Sequence, residues 1–129
     1  MAITGVYASS NSLAAFATYT GTTNVLPFYA IPSSGAGKLT PLTLSNGASS
    51  HATPVAGVFS TDDFSFYAGT YGPSLTSADN NVHIFTLAYP SGGATAMETG
   101  IISPNLPLYT GTGDAPVNLL VQRPKKATN

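Results

Sequence analysis

The chain contains no cysteine, which excludes disulfide bridges and thiolate metal sites. Charge is scarce as well: 7% of the 129 residues are Asp, Glu, Lys or Arg, and the net charge is -1. A balance so close to zero supplies no field to attract nucleic acid or anionic lipid, so neither is expected as a partner. Arg123, Lys125 and Lys126 form the single basic cluster, and its place near the C-terminus reads as a solvated tail. No apolar run approaches the roughly 18 residues a membrane span requires. The opening Met1-Ala2-Ile3-Thr4 shows no basic stretch leading into an apolar one, so no signal peptide is visible. With so little charge, the surface must be built from Ser, Thr, Asn, Gly and Tyr. That suits an extracellular or periplasmic protein, whose signal would lie on a longer precursor, or one covered by partners.

What the chain does have is hydrophobic content of 43% and an internal repeat. Gly5-Val6-Tyr7-Ala8 returns as Gly57-Val58-Phe59-Ser60, and Leu13-Ala14-Ala15-Phe16-Ala17-Thr18-Tyr19-Thr20-Gly21 as Phe64-Ser65-Phe66-Tyr67-Ala68-Gly69-Thr70-Tyr71-Gly72. Asn24-Val25-Leu26-Pro27-Phe28 returns as Asn81-Val82-His83-Ile84-Phe85, and Pro32-Ser33-Ser34-Gly35 as Pro90-Ser91-Gly92-Gly93. The offset is about 51 residues early in the unit and about 58 late, and a period near 50 in strand-type sequence marks a repeated small sheet.

Short β-branched and aromatic runs bounded by turn residues predict strands at 3–8, 13–18, 25–31 and 38–44 in the first unit. The second unit has strands predicted at 55–60, 65–70, 81–87 and 95–101. Ser9-Ser10-Asn11 and Thr61-Asp62-Asp63 are tight turns, since Asn and Asp side chains bond nearby backbone groups. No helix is expected, because 10 Pro and 13 Gly interrupt every stretch long enough to wind. The chain then divides into a first four-stranded meander (1–52), a second (53–113) and a remainder (114–129). In that remainder, Pro116, Val117, Leu119 and Val121 match the start of the second unit. They read as the first strand of a third sheet whose other strands have no counterpart in the sequence, and hence as an assembly element.

A four-stranded meander at this period resembles a β-propeller blade. Phe66-Tyr67-Ala68-Gly69-Thr70 followed by Asn80-Asn81-Val82-His83-Ile84-Phe85 is similar to the YVTN-type repeat of bacterial propellers. In that repeat an aromatic-led second strand precedes a short Asn/Gly turn and a third strand of the Val-x-Val-hydrophobic kind. The resemblance implies an all-β fold of two four-stranded antiparallel propeller-type blades plus an orphan C-terminal strand. Complete members carry about seven blades. The chain departs from the pattern where the usual second-strand Asn is Gly69 or Thr18. It also carries Pro27 in the third strand, where a missing ladder donor fits an edge or bulged strand better than a central one.

The chemistry-bearing residues are few. His83 sits in a predicted strand with Val82 and Ile84 pointing the other way, and a structural or surface role is the simpler reading beside that of a ligand or general base. His51 lies in a Ser-rich connection from which it could reach a channel mouth. Tyr19 and Tyr71 end the second strands and could face a ligand, although aromatics at repeat-equivalent positions favour packing between blades. Asp62-Asp63 and Asp79 lack the spacing of a calcium loop and read as turn chemistry. No residue is assigned a catalytic, cofactor or metal role, and no cofactor is expected. The preferred reading is a non-catalytic structural or binding module that self-associates to complete a ring or filament, or pairs with missing blades of a longer propeller. The alternatives are part of a lactonase-like hydrolase, implied by the resemblance alone, and a glycan- or peptide-binding propeller.

Overall fold

The computed structural model describes residues 3–19, 25–32, 34–44, 53–71, 80–91 and 93–102. They form two four-stranded antiparallel sheets, and no helix occurs among them. The first sheet comprises β1 (Ile3–Ala8), β2 (Ala14–Tyr19), β3 (Val25–Ala30) and β4 (Lys38–Thr43). The second comprises β5 (Thr53–Phe59), β6 (Ser65–Tyr71), β7 (Val82–Ala88) and β8 (Thr95–Ile102). In each sheet spatial order follows chain order, so both are meanders. Every strand begins and ends within two residues of its expected bounds.

Pro27 departs from expectation. β3 is a central strand, between β2 and β4, and Pro27 stands within it opposite Pro41. The sheet absorbs the missing donor by shortening a ladder. Registered pairs between β2 and β3 run from Ala14↔Ala30 to Phe16↔Phe28 and end beside Pro27. The corresponding ladder in the second sheet continues two pairs further, to Gly69↔Val82.

The two turns after the first strand of each sheet share one geometry. Ser12 N–H donates to Ser9 O at 3.0 Å and Asp63 N–H to Ser60 O at 3.1 Å. Each turn then closes on a left-handed residue, Ser12 (φ 56°) and Asp63 (φ 60°). Ser9 and Ser60 also cap their turns alike: Ser9 Oγ accepts from Ala14 N–H at 3.1 Å and Ser60 Oγ from Ser65 N–H at 2.9 Å.

These turns fix the structural equivalence of the repeats, and it differs from the best match of residue types. Tyr7 pairs with Phe16 and Val58 pairs with Tyr67, so the counterpart of Tyr7 is Val58, not Phe59. Phe16 pairs with Phe28 and Tyr67 with Ile84, so the counterpart of Phe28 is Ile84, not Phe85. A slip of one residue in a strand moves a side chain to the opposite face of the sheet. The aromatic residues of the two units therefore sit on opposite faces of equivalent sheets.

That is why they meet. The inner face of the first sheet carries a cross-strand row, Tyr7–Phe16–Phe28, and that of the second carries Phe59–Phe66–Phe85. The rows pack on each other in one core, with Phe16 and Phe66 rings 4.8 Å apart and Phe28 and Phe66 rings 5.8 Å apart. Within the second row, Phe66 and Phe85 stack at 4.4 Å. Offset aromatic pairs contribute about 0.5–1.5 kcal/mol each beyond their buried area. Ala14, Leu26, Ala30, Leu44, Ala68, Leu87 and Ala94 belong to the same buried cluster.

Candidate functional site

Two polar constellations and two open sheet faces stand out on this scaffold. The first constellation joins the sheets at their turn end. Asp63 is buried, and its carboxylate reaches across to the first sheet's turn. Oδ1 accepts from Ser10 N–H at 2.7 Å, and Oδ2 accepts from Asn11 N–H at 2.9 Å and Asn11 Nδ2 at 2.7 Å. Its backbone carbonyl accepts a 2.6 Å hydrogen bond from Tyr89 Oη. Burial first, then the neighbouring Asp63 and Asp62 charges, push the Tyr89 phenol above its ordinary range. Neighbouring Asp62 acts locally, accepting from Ser60 Oγ and Phe64 N–H. Of the adjacent pair, Asp62 serves the turn as expected, whereas Asp63 is also a clamp between sheets. Asp63 is recognisable in sequence only as a turn residue, because nothing local shows that the other turn will lie within reach.

The second constellation is His83 with Glu98. His83 is fully buried on the inner face of β7, and its Nδ1 lies 2.5 Å from Glu98 Oε1 on β8. Its Nε2 has no hydrogen-bond partner among the described residues. A carboxylate on Nδ1 orients an imidazole as in many general bases. Here, however, the ring is sealed in the sheet interior, so the couple is a packed polar pair. This agrees with the structural reading of His83 and adds the partner that was missed. Alternation along β8 was the available signal: Ala96 and Glu98 fall on the same, half-buried phase of the strand, while Thr95, Met97 and Thr99 are exposed.

Of the residues singled out as ligand-facing, Tyr19 and Tyr71 end β2 and β6, paired with Ile3 and Thr53 respectively. Their side chains lie outside the description, as does His51. Pro116, Val117, Leu119 and Val121 also fall outside the described residues. Among the described residues, no three His, Asp or Glu side chains converge as a metal ligand set. No helix among them is long and apolar enough to cross a membrane.

The remaining feature is the pair of outer faces. On the first sheet, Ala8, Ala15, Tyr29 and Leu39 form a cross-strand row, with Val6 69% and Leu39 52% exposed. On the second, Val58, Tyr67 and Ile84 form a row of half-buried side chains, flanked by exposed Thr86 and Met97. The first face is largely apolar, with Val6 and Leu39 exposed beside the buried Ala15 and Ala17, and the second mixes apolar side chains with exposed threonines; exposed apolar side chains grouped in this way mark association surfaces. Comparison with family models, with characterised proteins and with solved structures gives no match to this chain.

Proposed function

We propose that this chain is a non-catalytic structural module of the β-propeller type, which self-associates so that its two sheets become blades of a ring or filament. One observation carries the reading: the two sheets meet through opposite faces of the same repeat. The face that the first sheet turns inward is, by register, the face that the second sheet turns outward. A two-fold sandwich would bring like faces together and leave nothing to extend. A contact between unlike faces is heterologous, and it repeats until it closes or runs on as a filament. The resemblance to YVTN-type repeats supports the same architecture, and scarce surface charge lowers the barrier to self-contact. With two blades per copy, rings of about six or eight blades would take three or four copies, within the usual range.

Sedimentation velocity of the 129-residue chain at micromolar concentration tests this reading. The expected result is a closed particle of three or four copies, or a concentration-dependent open series. A compact monomer with a cooperative unfolding transition would overturn it.

A further inference from the structure

We infer that the outer face of the first sheet is the docking surface for the outer face of the second sheet of another copy of this chain, joined head to tail. This inference rests on the self-association reading and specifies its contact. The occupant follows from the interface already inside the molecule. Row Tyr7–Phe16–Phe28 meets row Phe59–Phe66–Phe85 there. Register makes Val58–Tyr67–Ile84 the counterpart of the first row and Ala8–Ala15–Tyr29 the counterpart of the second. These are the two outer rows, half-buried apart from the exposed Ala8 and the buried Ala15. Repeating the internal contact once more sets one against the other, between copies.

At those positions bulk is redistributed, and the contact forms only if the Tyr67 ring shifts off Val6 into the space that Ala8 and Ala15 leave. Inside the molecule, Phe16 lies directly over Gly57, with Phe59 and Phe66 around it. Between copies, Tyr67 takes the place of Phe16, and Val6, Ala8 and Ala15 take the places of Gly57, Phe59 and Phe66. Valine adds volume where glycine had none, and two alanines release the volume of two phenyl rings.

The turns give an independent sign of fit. Inside the molecule the first turn supplies donors, from Ser10 and Asn11, and the second supplies the Asp63 carboxylate. At the equivalent positions the second turn carries Thr61 and Asp62, and the first carries Ser12. The Thr61 and Asp62 N–H groups stand where the Ser10 and Asn11 N–H groups donate inside the molecule, and the Ser12 hydroxyl oxygen can accept from them in place of the Asp63 carboxylate.

The test uses Val6→Glu and Thr86→Lys, both at exposed positions and one on each outer face. Each variant alone should sediment as a monomer while keeping the circular dichroism of the parent chain. Mixed in equal amounts they should form a dimer and nothing larger, because each retains the one intact face the other needs. If the parent chain assembles but the variants assemble equally well, or their mixture stays monomeric, the docking surface is wrong while self-association stands. A monomeric parent chain would overturn both.

Discussion

Gly57 on β5 lies directly under the Phe16 ring of β2: a Cβ built on the glycine would stand 1.9 Å from Phe16 Cζ and 2.4 Å from Cε2. The glycine is needed here for space, because the two sheets come together where β5 crosses the first sheet. Gly57→Ala must push either the ring or the strand, and overpacking of this kind costs roughly 1–3 kcal/mol. The cost should shrink in a Phe16→Leu background, where the two ring atoms in conflict are gone and only the 2.9 Å approach to the Tyr67 carbonyl oxygen remains. Urea unfolding of the two single variants and the double variant measures that coupling, and additive losses would show that the contact does not decide the effect.

The Asp63 clamp holds the turn ends of the two sheets together through three charge-assisted hydrogen bonds to Ser10 and Asn11. Asp63→Ala removes all three at once and leaves two backbone donors of the first turn to find water. A loss on the order of 2–4 kcal/mol is expected. Asn11→Ala removes only the side-chain donor and should cost about 1–2 kcal/mol. Hydrogen exchange should then report the Ser10 and Asn11 amides opening at lower free energy in Asp63→Ala. Unchanged protection at those amides would show that the sheets are held without the clamp.

The eight strands and both meanders were legible because alternation and turn residues are local signals. Ser9-Ser10-Asn11 and Thr61-Asp62-Asp63 mark their hairpins without any tertiary knowledge. Which face each strand buries was not legible from the repeat. Matching residue types aligned Tyr7 with Phe59 and Phe28 with Phe85, one position away from the ladder equivalence. Like residues aligned in that way are placed on like faces, whereas they occupy opposite faces of a shared core. Pro27 was misread because its effect was assigned to the whole strand rather than to one ladder. The Asp63 clamp and the His83–Glu98 couple depend on distances across turns and strands that no short motif encodes.

Tyr89 gives the chain a sensitivity to alkaline conditions. Burial and the nearby Asp63 and Asp62 charges raise its folded-state ionisation above that of the unfolded chain. Above about pH 10 the unfolded state therefore sheds this proton first, and stability falls as pH rises toward the folded-state value. Below about pH 10 the contribution is fully present. Tyr89→Phe should remove this slope. It should also cost about 1 kcal/mol at neutral pH, through loss of the hydrogen bond to the Asp63 carbonyl. Thermal melts of both chains between neutral pH and pH 11 decide it, and identical alkaline slopes would assign the effect to other groups.

His83 and Glu98 should behave as a coupled pair whose parts are worth more together than apart. Glu98→Leu leaves a fully buried imidazole with neither nitrogen satisfied, since Nε2 already lacks a partner among the described residues. The expected loss is about 1–3 kcal/mol, the desolvation penalty of a stranded polar group. His83→Leu alone takes the imidazole from the Glu98 carboxylate, which is only 14% exposed, and should be destabilising as well. Changing both to Leu removes the polar atoms together and fills the space with side chains suited to the inner face. Replacing a buried polar pair by apolar groups of similar volume is often neutral or stabilising. The double variant should therefore recover most of the parent stability or exceed it. Denaturant titration of the four chains closes the cycle. A double variant that loses the sum of the single losses would mean the pair is not a self-contained polar unit, and that His83 Nε2 serves a purpose the packed sheet does not explain.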